Sequence, residues 1–283
     1  MTLPIAIMQG RLSPPADGRI QSFPRDTWAE EIAAAPRAGI GAIEWIYDHF
    51  GDGANPIETD DGIARVSALA EQHSVTVASV CADWFMEERL VGDDPVERAE
   101  ARERLHWLVG QGAKLGIQRI VLPFVDNSAL VDRRLEDQAV DAIEELLPAA
   151  RRADIELHLE TSLDPAGFAQ LLERLPDPAV QVNYDIGNSA ALGYDPVAEL
   201  AAYGSRIGSV HIKDRVLGGT TVPLGSGNAN FDAVLAGLGA LGYAGPFVLQ
   251  VARGDRGQEV ATTREQVTVV RELLHRHNLG TDG

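Results

Sequence analysis

Cysteine is nearly absent from this chain of 283 residues, which has only Cys81. One thiol excludes an internal disulfide and is too few for a structural thiolate zinc site. Any metal must be held by histidine and carboxylates. Lysine is almost as scarce, Lys114 and Lys213 being the two among 24 basic residues, and 42 acidic residues outnumber them all for a formal charge of −18. A chain this acidic repels nucleic acid and anionic membranes at long range and lacks the clustered cations that phosphate backbones require. Apolar runs are all shorter than the ~20 residues of a membrane span. The first residues, Met1 to Gly10, also lack the basic region and long apolar stretch of a signal peptide, so a cytoplasmic location is expected. No Gly-, Ser- or Pro-rich linker divides the chain, and residues 1–283 are read as one domain.

What the chain does have is an alternation of short β-branched or apolar runs with longer amphipathic stretches, repeated eight times. Strands are expected at Ile5 to Gln9, Ala42 to Ile46, Val75 to Cys81, Arg119 to Pro123, Ile155 to Glu160, Val180 to Asp185, Ile207 to Ile212 and Phe247 to Ala252. Helices are expected near 27–38, 60–73, 95–115, 132–152, 165–175, 195–203, 230–241 and 262–277. Gly39, Gly116 and Gly242 stand where left-handed C-caps belong, and Asp26, Asp164 and Asp195 where N-caps belong, the last two followed by Pro165 and Pro196. Eight βα units imply a parallel sheet, and the loop after Gln9, GRLSPPADGR, lacks a dinucleotide fingerprint. The expected fold is therefore an α/β (β/α)8 TIM barrel, whose chemistry sits at the C-terminal ends of its strands.

Those ends carry a pattern. The fifth strand ends in HLET with Glu160 at the rim, and the sixth in NYDIGN with Asp185 and then Asn188. The seventh ends in HIKD, giving His211, Lys213 and Asp214, and the eighth runs PFVLQVAR, giving Gln250 and Arg253. Converging carboxylates repel one another, and a cation among them relieves the repulsion. Oxygen and imidazole donors suit Mn²⁺, Mg²⁺, Co²⁺ or Zn²⁺, with Mn²⁺ the expected ion. His158 lies deeper along its strand and reads as a core histidine, while His49, His73, His106, His275 and His277 read as surface residues.

The series HLET, NYDIGN, HIKD and VPLGSGNANF resembles the sugar phosphate isomerase/epimerase family of xylose isomerase-like barrels. The resemblance implies metal ligands at Glu160, Asp185, His211 and Gln250, although the family's epimerases usually have Glu where this chain has Gln250. It also implies that the loop with Gly225 and Gly227 closes over a sugar, with backbone N–H groups approaching the ligand.

Moving or inverting a centre beside a carbonyl requires removal of a weakly acidic C–H proton and stabilisation of an enediolate. Glu160 is the expected base, with His211 a candidate acid. Gln250 has no useful basicity, which favours a one-base isomerisation over a two-base epimerisation unless another group serves the second face. It also leaves the site one negative charge poorer, so the metal is expected to exchange. A lyase or dehydratase acting on a keto-sugar or inosose would use the same base and metal. A non-catalytic sugar-binding or partner subunit would follow if the missing acid ended the chemistry. Substrate contacts are expected from Arg11, Glu44, Asp83, Trp84, Phe124, Asn188, Lys213, Arg215 and Arg253, the substrate being a sugar, sugar phosphate or cyclitol. The cationic members imply a phosphate or carboxylate if they converge, and a neutral sugar if they pair with acids such as Asp214. A homo-oligomer is possible, with Trp107 or Tyr243 as candidate interface residues.

Overall fold

The computed structural model describes residues 5–50 and 53–280. Barrel strands β1 (Ile5–Met8), β2 (Ala42–Ile46), β3 (Thr76–Cys81), β4 (Arg119–Phe124), β5 (Glu156–Thr161), β6 (Val180–Asp185) and β7 (Ile207–Ile212) follow one another in the chain. A short antiparallel pair, β8 (Asp214–Arg215) and β9 (Thr221–Val222), then stands outside the barrel. The last barrel strand is β10 (Phe247–Leu249), and the closed order is β1-β10-β7-β6-β5-β4-β3-β2 with every barrel pairing parallel. The expected α/β barrel is the fold observed.

Parallel strands covered on both faces must be apolar throughout their middles. Ile120, Val121 and Leu122 of β4 and Phe247, Val248 and Leu249 of β10 are all buried. The surrounding helices are α1 (Trp28–Ala34), α2 (Asp60–His73), α3 (Pro95–Leu115), α4 (Arg133–Ala153), α5 (Pro165–Arg174), α6 (Ile186–Leu192), α7 (Pro196–Tyr203), α8 (Phe231–Ala240) and α9 (Glu259–Arg276). None of them is long and apolar enough to cross a membrane.

Capping follows the sequence in most places. Asp164 and Asp195 accept from Gly167 N and Val197 N, and Gly39 and Gly116 take positive φ behind their helices. Gly242 also has positive φ, but one residue beyond the C-cap Leu241. Asp26 does not cap α1, whose N-cap is Thr27 without a side-chain hydrogen bond. The eighth barrel strand is shorter than expected: it ends at Leu249, and Gln250 extends the ladder by one bond from its N–H to Ile212 O. Helix α6 was not foreseen; Asp185 ends its strand and caps this helix at once, accepting from Asn188 N at 2.8 Å.

Two register shifts position the site. One falls between Ile43 and Glu44 against β3, the other between Val182 and Asn183 against β7. Each bulge re-aims the side chain that follows it. Glu44 then faces Ser79, accepting its hydroxyl at 2.7 Å, and Asn183 faces Ser209, also at 2.7 Å.

Candidate active site at the barrel mouth

Successive strand residues alternate in direction, so the last inward positions of β5, β6 and β7 meet at the mouth. They are Glu160, Asp185 and His211, all buried, and one donor atom from each lies within 4.8 Å of the others. His211 Nδ1 stands 3.5 Å from Glu160 Oε2 and 3.8 Å from Asp185 Oδ2. Its other nitrogen, Nε2, is 2.7 Å from Glu44 Oε1. A carboxylate on the far ring nitrogen fixes the ring and turns Nδ1 toward the cluster, as it does behind metal-ligating histidines. Asn183 and Asn188 donate to the two oxygens of Glu160 at 2.8 and 2.6 Å.

The charges show what this cluster needs. Burial and the charge of Asp185 push the Glu160 carboxyl up to about 7. Burial disfavours an imidazolium at His211, yet Glu44, Asp185 and Glu160 outweigh it and raise the ring to about 10. Burial likewise opposes ionisation of Asp185, but Lys213 and His211 hold its carboxyl far below the usual range. Protons and an ammonium thus supply the positive charge that the acids require. Asp185 Oδ2 lies 2.6 Å from Lys213 Nζ without a directional hydrogen bond. Two carboxylates and an imidazole nitrogen that opens to an ion once its proton leaves fit a divalent cation, which would take over the charge that the protons and Lys213 supply here.

Above the cluster is a cavity of about 380 Å³, lined in part by Glu160, Asn188, Lys213, Arg215, Gln250 and Arg11. Gln250 Oε1 accepts from Lys213 Nζ at 2.6 Å, and Gln250 Nε2 donates to Gln21 Oε1 at 2.8 Å. Arg11 is buried and reaches Val251 O and Gln21 Oε1, while burial and nearby Arg253 lower its guanidinium to about 10. Arg215 donates to Asn188 Oδ1 at 2.7 Å and to Gly219 O. Neither arginine makes an ion pair among the described residues.

Residues 32–273 match the family described as xylose isomerase-like TIM barrel. The chain belongs to that family. It is 27% identical to L-ribulose-5-phosphate 3-epimerase UlaE of Escherichia coli strain SMS-3-5 over 257 residues, 86% of this chain and 89% of the relative. Among solved structures it is similar in fold to an L-ribulose 3-epimerase, with TM-score 0.76, 19% identity, and 98% and 96% of the two chains covered. It is also similar to a xylose isomerase-like TIM barrel protein from Mycobacterium smegmatis in complex with magnesium, with TM-score 0.73, 19% identity and 98% of each chain covered.

Within this xylose isomerase-like barrel, five of the nine expected substrate contacts line the cavity: Arg11, Asp83, Asn188, Lys213 and Arg215. The other four do not. Glu44 points inward but lies too deep, fully buried behind His211. On β4, Pro123 faces the cavity, and alternation turns Phe124 away into the core. The turn after β3 keeps Asp83 inside and sends Trp84 outward, stacked on Tyr47 at 5.2 Å in a separate groove that Trp107 also lines. Arg253 donates to the carbonyls of Gly10, Ser13 and Ile20 and so braces the β1–α1 loop. Tyr243, the other candidate interface residue, packs against Phe247 and donates to Pro246 O.

The glycine loop is built differently from expectation. Gly225 and Gly227 aim their N–H groups at Asp214 Oδ2, 2.8 and 2.9 Å away, not at a ligand. A Cβ at Gly227 would stand 2.2 Å from Asp214 Oδ1, which is why glycine is required there. Asp214 thereby closes its own loop and pairs with no arginine among the described residues. His158 is the core histidine expected, fully buried between Ser209 Oγ and Glu156 Oε2.

Two site residues escaped sequence reasoning. Asn183 lies two positions before Asp185 on the same strand face, and that spacing is a usable signal. Gln21 lies in an irregular loop, where no periodicity marks it; it joins Gln250 to Asp83, donating to Asp83 Oδ2 at 2.6 Å.

Proposed function

We propose that this barrel is a divalent-metal-dependent epimerase or isomerase of a ketose, with Glu160 as the base that removes the proton beside the carbonyl. The buried cluster of Glu160, Asp185 and His211 under an open cavity carries this reading. The ion would be held by those three residues; when bound, it supplies Lewis-acid stabilisation of the oxyanion that develops as the proton leaves. Mn²⁺ is our expected ion. Gln250 offers a fourth, neutral oxygen only when Lys213 releases it.

Asn183 and Asn188 orient the Glu160 carboxylate, and its burial strengthens it as a base. His211 serves as a ligand rather than an acid, because Nε2 is held by Glu44 and Nδ1 faces the cluster. Arg11 and Arg215, without acidic partners among the described residues, favour a substrate with an anionic end, and the UlaE relative is named for a sugar phosphate. A ketose 5-phosphate is therefore our preferred substrate class.

Incubation with Mn²⁺ in D₂O, with L-ribulose 5-phosphate, L-ribulose and D-tagatose as probes, tests the reading. It predicts deuterium at the carbon beside the carbonyl, fastest with the phosphate. No exchange with any ketose contradicts enediolate chemistry, and an enone absorbance in its place assigns the chain to elimination.

A further inference from the structure

Epimerisation requires a proton donor on the face of the carbon opposite the base, and the acid that the family resemblance puts on the eighth strand is here Gln250. We propose that Asp83 is this second proton-transferring group, reaching the cavity from the end of β3 and facing Glu160 across the substrate. The inference rests on the reading of the chain as a ketose epimerase.

Position and anchoring select Asp83 among the acids of the cavity. Glu87 and Asp126 also line it but are exposed, whereas Asp83 is 7% exposed. Its Oδ2 accepts from Gln21 Nε2 at 2.6 Å, and Gln21 Oε1 accepts from Gln250 Nε2 at 2.8 Å. Two hydrogen bonds thus connect the Asp83 carboxyl to the side chain standing in the acid's place. Its Oδ1 faces the Cys81 thiol at 3.1 Å. Strands β3 and β5 are two apart in the barrel order, roughly 10 Å between axes, so inward side chains from their ends can flank one sugar carbon. Arg11 is the cation near this carboxyl, and Asp48 and Glu44 are the acids facing it from β2 and the loop beyond. Burial, opposed by the Gln21 and Cys81 hydrogen bonds, pushes the carboxyl up to about 6, where it exchanges a proton readily near neutrality.

In one direction Glu160 takes the proton from the carbon beside the carbonyl. The C–H pair becomes the C=C bond of the enediolate and the carbonyl π pair moves to oxygen. Protonated Asp83 then gives its proton to the same carbon from the other face, the C=C pair forms the new C–H bond, and the oxygen pair restores the carbonyl. Glu160 ends protonated and Asp83 ionised; exchange with water through the mouth resets both, and the reverse reaction swaps their roles.

The test separates exchange from inversion. With Mn²⁺ and L-ribulose 5-phosphate in D₂O, NMR follows deuterium at C3 of the recovered substrate and the appearance of its C3 epimer. Wild type should show both. Asp83→Asn should slow inversion by at least ~100-fold while exchange with retention continues within about tenfold, and Asp83→Glu should restore part of the inversion. Glu160→Gln should lose both signals. Asp83→Ser answers the same question if the Asn variant melts early. Inversion at the wild-type rate in Asp83→Asn, an equal loss of exchange and inversion, or wild-type exchange without inversion would each overturn the role of Asp83 and leave the ketose reading standing. Absence of exchange in wild type with all three ketoses would overturn both.

Discussion

The two sides of the mouth are built on different principles. Along β5, β6 and β7, each functional side chain is the last inward residue of a strand: Glu160, Asp185 and His211 sit on hydrogen-bonded backbone and are braced by Asn183 and Glu44. From β10 through β1 to β3, the groups are Gln250, Arg11, Gln21 and Asp83, all beyond strand ends and joined through one loop glutamine. The first side concentrates negative charge and asks for a cation. The second is amide, guanidinium and one acid, Asp83, whose carboxyl is pushed up to about 6 by burial. A rigid strand-borne side suits metal and base, and an adjustable loop-borne side suits substrate choice and stereochemical outcome.

Breaking the strand-borne side should cost most. Glu160→Gln keeps the shape and removes the proposed base, and proton exchange, followed by NMR in D₂O, should fall by roughly 10²–10⁴-fold. Next in size is the anchor of the opposite side. The buried Glu31 carboxylate accepts from Gly10 N, Leu12 N and Ser13 Oγ, tying down the loop that carries Arg11 and Gln21. Glu31→Ala should lower stability by about 3 kcal/mol in urea unfolding. Glu44→Gln, behind His211 and outside the cavity lining, should weaken ion binding by roughly 10–100-fold, read by titration calorimetry.

The smallest effect belongs to the floor of the barrel. Burial lowers the His158 pKa below its usual 6.5, so the folded chain leaves the ring neutral where the unfolded chain protonates it. Stability should therefore be full above that pH and fall below it, at a limiting slope of about 1.4 kcal/mol per pH unit. Unfolding curves between pH 5 and 7 on wild type and His158→Gln measure that contribution.

The same contrast explains what could be read beforehand. The barrel and its strand-end cluster were legible because parity and βα alternation are periodic, and Glu160, Asp185 and His211 obey that periodicity. The same parity, left unused, argues against Phe124, one residue past the inward Pro123, and for Asn183, two before Asp185. Trp84 and Gln21 were beyond this reasoning, because their directions depend on turns with no fixed period. The Gly225 and Gly227 loop was misread for a related reason: a glycine-rich stretch permits close backbone approach without naming the group approached, here Asp214. Depth was the remaining obstacle. Glu44 shares the inward parity of a substrate contact, but its bulge and its bond to His211 make it a support.

The most direct test of the account is an electron paramagnetic resonance titration of chelator-treated protein with Mn²⁺, comparing wild type with Asp185→Asn. Wild type should show one saturable Mn²⁺ site per chain, and Asp185→Asn should lose it with the barrel still folded by circular dichroism. No saturable site, or the same site at the same affinity in Asp185→Asn, would contradict it.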